Sequence, residues 1–209
     1  MNTSDVNNPT TEPCCASNIA NEKWYLTTLS AITTTPELHL CGQLYLYLIS
    51  QHAYSTTTAR SELIRRMREV LFKDIALVGL PKPAEALLSI TQFMSEEDGE
   101  CSFTREGWQC DEANHARGWV DFGFWVADIT YGLLLSDRRV LDDVDTEMVV
   151  LPAAMSQDMP RMTYWHIRGT RRLGISKEDV QMECVRLVVE ACGVTLKQVP
   201  SVDDVDKDL

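Results

Sequence analysis

The sequence predicts an all-α protein. Helical periodicity runs from Asn21 with little interruption, proline and glycine stand where helices start and stop, and no segment alternates apolar and polar residues as a half-buried strand would. The 209 residues are 44% hydrophobic, enough for one well-packed core and too few to argue for two. The expected organisation is a disordered N-terminal arm over 1–20, rich in Asn, Thr, Ser and Pro. A single helical domain of about eight helices follows over 21–193, then an acidic C-terminal tail over 194–209.

Thr35-Pro36 supplies an N-cap and a first-turn proline for a helix reaching about Ala53. The next helix opens near Thr58 and carries Leu63, Ile64, Met67, Leu71 and Ile75 on one face. Gly79-Leu80-Pro81-Lys82-Pro83 ends it and opens another through Ala86, Leu87, Ile90 and Met94. Residues 96–112 read as a polar loop, of a length that serves as a lid or binding element or is simply mobile. Ala113 to Leu135 is apolar on most of its circumference and is expected to be central. Gly118, Gly123 and Gly132 there permit close packing at a cost in helix propensity. Helices from Asp143 to Gln157, Pro160 to Leu173 and Ser176 to Cys192 complete the chain. Gly174 and Gly193 close the last two.

The formal charge of −12 disfavours nucleic acid and anionic membrane surfaces as partners. No apolar run reaches the length that spans a bilayer. Met1 to Ser17 lacks the basic-then-apolar pattern of a signal peptide. Asp206-Lys207-Asp208-Leu209 is similar to an endoplasmic-reticulum retention signal, but without an entry signal it reads as a solvated tail. The seven cysteines (Cys14, Cys15, Cys41, Cys101, Cys110, Cys184, Cys192) contain no C-x-x-C pair. That pattern suits a reducing compartment, so the expectation is cytoplasmic.

Helical projection singles out a few polar residues. Glu147 falls among Val144, Val150, Leu151 and Ala154, where an unpaired carboxylate costs several kcal/mol. It is either an acid–base group or a glutamate near a helix N-terminus that reaches solvent. His166 shares a face with Met162, Gly169 and Leu173, opposite Arg161, Arg168, Arg171 and Arg172. It is either a proton shuttle or a core histidine bonded to a carbonyl. Asp121 and Asp128 form an acidic strip flanked by Phe124, Trp125, Tyr131 and Leu135, which either lines a cavity or marks a solvent edge. Arg60 projects above Leu63, Ile64 and Met67, either to hold a carboxylate or to stay solvated. No second His or Cys stands at ligand spacing, so no metal site is expected. Gly-rich phosphate loops, G-x-S-x-G and H-E-x-x-H do not occur.

From Asp143 to Val185 the chain has two helices joined through Gln157-Asp158-Met159-Pro160, then His166, a basic run, Leu173-Gly174-Ile175-Ser176 and an amphipathic helix. Upstream stand Arg65-Arg66-Met67-Arg68-Glu69-Val70-Leu71-Phe72-Lys73 and Leu77-Val78-Gly79-Leu80-Pro81-Lys82-Pro83. Together, from about Trp24 to Cys192, these resemble the carboxymuconolactone decarboxylase and alkylhydroperoxidase D family, in its longer branch associated with fungi. The family's peroxidases combine a relay glutamate, a C-x-x-C pair and a histidine. By this resemblance the glutamate matches Glu147 and the histidine His166, while the redox cysteines fall on Met159 and Met162. A thioether forms neither thiolate nor disulfide, so thiol peroxidase chemistry is not expected.

The resemblance implies a cofactor-independent lyase or isomerase acting on a small carbonyl or lactone compound in a biosynthetic or secondary-metabolite pathway. His166 would transfer a proton and Glu147 would orient it or relay protons. Trp125, Asp121, Asp128, Tyr131, Met162 and Arg60 would contact the small-molecule substrate, with Arg60 or Arg161 available for an anionic group. The family is oligomeric, so a dimer or trimer-based homo-oligomer is expected, with Trp24, Tyr25, Tyr45 and Tyr47 offering surfaces to bury. Two other readings stand beside it. One is a thiol-dependent antioxidant protein using the remaining cysteines. The other is a non-catalytic oligomeric binding protein with a filled core around His166.

Overall fold

A computed structural model describes residues 19–98, 125–180 and 182–208, with backbone only at 19–22, 125 and 127. The helices are α1 (Ile19–Thr34), α2 (His39–Ile49), α3 (Thr57–Val78), α4 (Pro81–Thr91), α5 (Trp125–Leu135), α6 (Asp143–Ser156), α7 (Pro160–Arg172), α8 (Met182–Ala191) and α9 (Val202–Asp206). Single 3₁₀ turns occupy His52–Tyr54, Glu96–Asp98 and Glu178–Val180. No strand occurs among the described residues, and eight of these helices have seven residues or more, so the fold is all-α as the periodicity predicts.

Local chemistry explains most boundaries. The Thr56 hydroxyl caps α3 by accepting the Ala59 N–H at 3.2 Å, and Asp142 caps α6 by accepting the Asp145 N–H at 2.8 Å. Pro81 and Pro160 sit in the first turns of α4 and α7. Gly79, Gly174 and Gly193 leave their helices at φ of 81°, 83° and 79°, a region L side chains avoid.

Four features differ from expectation. Thr35 does not cap a helix at Pro36. Its hydroxyl donates back to Ile32 O and accepts the Glu37 N–H, forming the turn between α1 and α2, and α2 starts only at His39. The segment expected as one helix from Ser176 splits, because Ser176 and Asp179 bond each other's side chain and backbone in a 3₁₀ turn before α8. Helix α5 winds with the wider π repeat rather than as an α-helix. The rest of the expected 113–135 helix, and the loop beyond Asp98, lie outside the described residues. The tail over 194–209 is not simply solvated. Val202 and Val205 of α9 are buried in one cluster with Leu151, Ile167, Ile175 and Val180. Tyr164 donates to Asp208 at 2.7 Å and Arg171 to Asp206 at 3.0 Å, which fastens α9 onto α7.

Helices α1 to α4 supply most of the largest core cluster, to which Leu141 and Val149 also belong. Every residue of α6 from Met148 to Ser156 is buried. Among the described helices α6 therefore takes the central place expected of the segment ending at Leu135. Its N-terminus is held by charge: the Asp145 carboxylate, 2% exposed, meets Lys23 of α1 at 2.7 Å and Arg66 of α3 at 2.8 Å. Arg66 also donates to the Tyr25 hydroxyl at 2.8 Å. Fully buried Lys73 of α3 donates to the carbonyls of Leu135 at 2.8 Å and Asp137 at 3.1 Å, which ties down the C-terminal end of α5.

Deeper still, Ser30 Oγ lies 2.9 Å from Asp74 Oδ1 and 2.8 Å from Val149 O. A serine hydroxyl has one hydrogen, so it serves one of these two oxygens. Both contacts are hydrogen bonds only when Asp74 is protonated and donates to Ser30 Oγ, leaving the serine hydrogen for Val149 O. Burial pushes the Asp74 carboxyl well above its usual range, against the lowering effect of the Ser30 and Thr33 hydroxyls, in agreement with that count.

Candidate functional site

Helices α6 and α7 form an antiparallel hairpin across Gln157, Asp158 and Met159. Asp158 adopts φ of 55°, and its Oδ1 accepts the N–H groups of Lys197 and Gln198 at 2.9 and 2.8 Å. The hairpin brings together two residues 19 positions apart: Glu147 Oε2 lies 3.0 Å from His166 Nδ1. Their side chains are 20% and 15% exposed. Gly169 lies beside the pair, where a Cβ would touch Glu147 Oε1 at 3.4 Å, an ordinary van der Waals contact.

A carboxylate can only accept, so His166 facing one donates from Nδ1, and in the neutral ring Nε2 then holds the basic lone pair. The pair forms part of the wall of an open cavity of about 400 Å³. Tyr131, Leu135 and Ser136 line it from α5 and its end. Thr146, Glu147 and Val150 line it from α6, and His166, Gly169 and Leu173 from α7 and its end. Arg138 and Asp143, paired with each other, stand at its rim. Tyr131 is 45% exposed, and its partial burial, then the nearby Glu147 charge, raise the phenol above its ordinary value, so it remains a neutral hydroxyl at physiological pH. The site thus holds a carboxylate-oriented imidazole, a neutral phenol and apolar walls, the components of proton transfer at a small organic molecule.

The other residues expected here are placed elsewhere. Arg60 bonds Asp98 at 2.7 Å and donates to the carbonyls of Tyr54 and Ser55, and it does not line the cavity. A guanidinium at a helix start finds local acceptors before it finds a ligand. Met162 lies one turn before His166 but is 37% exposed and off the cavity wall. Asp128 is buried on α5 without lining the cavity. Trp125 begins α5, and its side chain, like Asp121, lies outside what the structure describes. Tyr25 and Tyr45 do not offer outer surfaces, because both are buried in the chain's own core. Trp24 instead meets half-exposed Tyr47 edge to face, with ring centroids 6.0 Å apart.

Sequence reasoning missed Ser136, Arg138, Asp143 and Thr146. Asp143 stands one helical turn before Glu147, a signal that could have found it. Ser136 and Arg138 follow α5 in an irregular link, where periodicity says nothing. Among the described cysteines, Cys41 and Cys192 are buried and Cys184 is half-buried, all as free thiols. Burial pushes the Cys41 thiol up to about 12. No cluster of three or more potential metal ligands occurs among the described residues, and no described helix is long and apolar enough to cross a membrane.

Comparison with known proteins gives a distant relative, Peroxisomal protein 2 of Schizosaccharomyces pombe (strain 972 / ATCC 24843). It is 22% identical over 191 residues, covering 73% of this chain and 89% of the relative. No family model and no solved structure matches.

Proposed function

We propose that this protein is a cofactor-independent lyase or isomerase of the carboxymuconolactone decarboxylase type, moving a proton on a small carbonyl or lactone compound of a biosynthetic pathway. The observation that carries the reading is the 3.0 Å contact between Glu147 and His166 at a cavity wall. Glu147 fixes the imidazole with Nε2 as base and stabilises the imidazolium once the proton has moved. The cavity volume falls in the range of about 300–1,000 Å³ typical of small-molecule sites. A hollow beside His166 is the opposite of the filled core that a purely structural histidine would occupy. A thiol peroxidase is the weaker reading: by the resemblance Met159 and Met162 fall where its cysteines would be, and buried Cys41 holds its proton.

A second copy of the chain has a surface to use on α7, where Trp165 and Met162 are exposed. Light scattering of the purified protein decides whether it assembles. The relative's name places that protein in the peroxisome, so cell fractionation should weigh this compartment against the cytoplasm. The functional test is turnover of candidate carbonyl substrates by wild type, His166→Ala and Glu147→Gln. Loss of turnover in both variants, with unchanged helical circular dichroism, supports the reading. Full activity in both rejects it.

A further inference from the structure

We propose that the cavity takes an uncharged, enolisable carbonyl compound, and that Tyr131 is the catalytic residue holding the negative charge that develops on the carbonyl oxygen. The proposal rests on the acid–base reading of His166 and Glu147 and adds a third group. It narrows the chemistry from lyase or isomerase to enolisation and isomerisation, since decarboxylation would need a substrate carboxylate.

Three observations carry it. First, Tyr131 and His166 line the same cavity from different helices, α5 and α7, so one small ligand can meet a hydroxyl donor and the Nε2 base together. Second, the end of the helix that presents Tyr131 is fixed. Buried Lys73 holds the Leu135 and Asp137 carbonyls at 2.8 and 3.1 Å, and a donor must be held in place before the reaction if it is to stabilise charge. Third, charge argues against an anionic ligand. Among the described residues lining the cavity the cation is Arg138, which is 68% exposed at the rim and paired with Asp143, while Glu147 stands inside. A substrate carboxylate would meet Glu147 without a cation of its own. The remaining wall (Leu135, Val150, Leu173) suits a compact hydrocarbon frame.

The step balances without a co-reactant. His166 Nε2 takes the proton from the carbon next to the carbonyl, and the C–H bonding pair becomes the C=C bond of an enolate. The carbonyl π pair moves onto oxygen, where the Tyr131 O–H donates a hydrogen bond. The imidazolium, facing Glu147, swaps that proton with solvent and reprotonates the same carbon, which is exchange, or delivers a proton to a conjugated carbon, which is isomerisation.

The experiment follows hydrogen–deuterium exchange next to the carbonyl by proton NMR in D₂O. The probes are cyclohexanone and its charged counterpart 3-oxocyclohexane-1-carboxylate, with the full-length protein and its Tyr131→Phe and His166→Ala variants. Circular dichroism checks that each variant folds. The expected result is wild-type exchange of cyclohexanone above the buffer rate, with the carboxylate at least tenfold slower in kcat/KM. His166→Ala falls to the buffer rate. Tyr131→Phe loses at least tenfold in kcat with KM changed by less than about twofold, a split that marks an interaction made in the transition state. If His166→Ala is inactive and Tyr131→Phe matches wild type, the role of Tyr131 is overturned and the acid–base reading survives. Faster exchange of the carboxylate overturns the uncharged substrate class. Exchange of neither probe by wild type overturns the acid–base reading and this proposal together.

Discussion

Replacing Asp74 with asparagine should flatten the pH dependence of stability. In the folded protein Asp74 is buried, and its proton completes the chain through Ser30 Oγ to Val149 O. Burial raises its folded value well above 3.8, the value of the free side chain. The folded state therefore keeps a proton that the unfolded chain gives up. Below 3.8 both states are protonated and the group adds no pH dependence. As pH rises from there toward the folded value, stability falls by about 1.4 kcal/mol per unit from this group alone. Asparagine has no proton to lose in that window. Its Nδ2 can replace Oδ1 as the donor to Ser30, with its oxygen in the place of Oδ2, which has no hydrogen-bond partner. The cost is one buried amide hydrogen with no acceptor, about 1–3 kcal/mol and independent of pH. The assay is urea unfolding at half-unit steps from pH 4.5 to 8, for wild type and Asp74→Asn. Subtracting the two curves should leave a slope near 1.4 kcal/mol per unit over the lower part of that range, the variant gaining relative to wild type as pH rises. Parallel curves would refute the proton count.

Other expectations concern the supports of the site. Asp145→Asn leaves Lys23 and Arg66 without their shared anion and should cost about 3–5 kcal/mol, measured by urea unfolding at pH 7. Gly42→Ala would put a Cβ 2.4 Å from Ser89 O and force α2 from α4, costing about 1–3 kcal/mol by the same measurement. At Gly174 nothing lies within 4 Å of the added Cβ, so Gly174→Ala should cost only the backbone strain of φ 83°, about 1–2 kcal/mol. Val205→Ala should cost about 1–3 kcal/mol and speed hydrogen exchange in α7, where α9 is docked. If α7 exchange is unchanged, α9 is not a structural part of the hairpin.

Helix content was legible because 3.6-residue periodicity and capping chemistry are local, and both survive in the structure at Gly79, Pro160 and Gly174. Helical projection singles out Glu147 and His166 one at a time, as polar residues on apolar faces. Their joining in one site is an expectation from the family resemblance, and the hairpin of consecutive helices does bring them to 3.0 Å. Arg60 and Met162 show the limit. A helical wheel gives a residue's direction, but not which neighbour occupies the space in front of it, and Asp98 sits in front of Arg60. The docking of α9 escaped notice because its apolar signal is two valines, Val202 and Val205, within an acidic run. Helix α5 was assigned the wrong winding, since an apolar stripe does not distinguish an α from a π repeat over 11 residues.

The orientation of one imidazole bears directly on all of the proposed chemistry. Nitrogen-15 NMR of the His166 ring in wild type and Glu147→Ala, assigned by its loss in His166→Ala, reports which nitrogen is protonated. The account predicts a neutral ring with hydrogen on Nδ1 and a free Nε2 in wild type, and loss of that preference when Glu147 is removed. A wild-type ring protonated at Nε2, or one indifferent to Glu147, would contradict it.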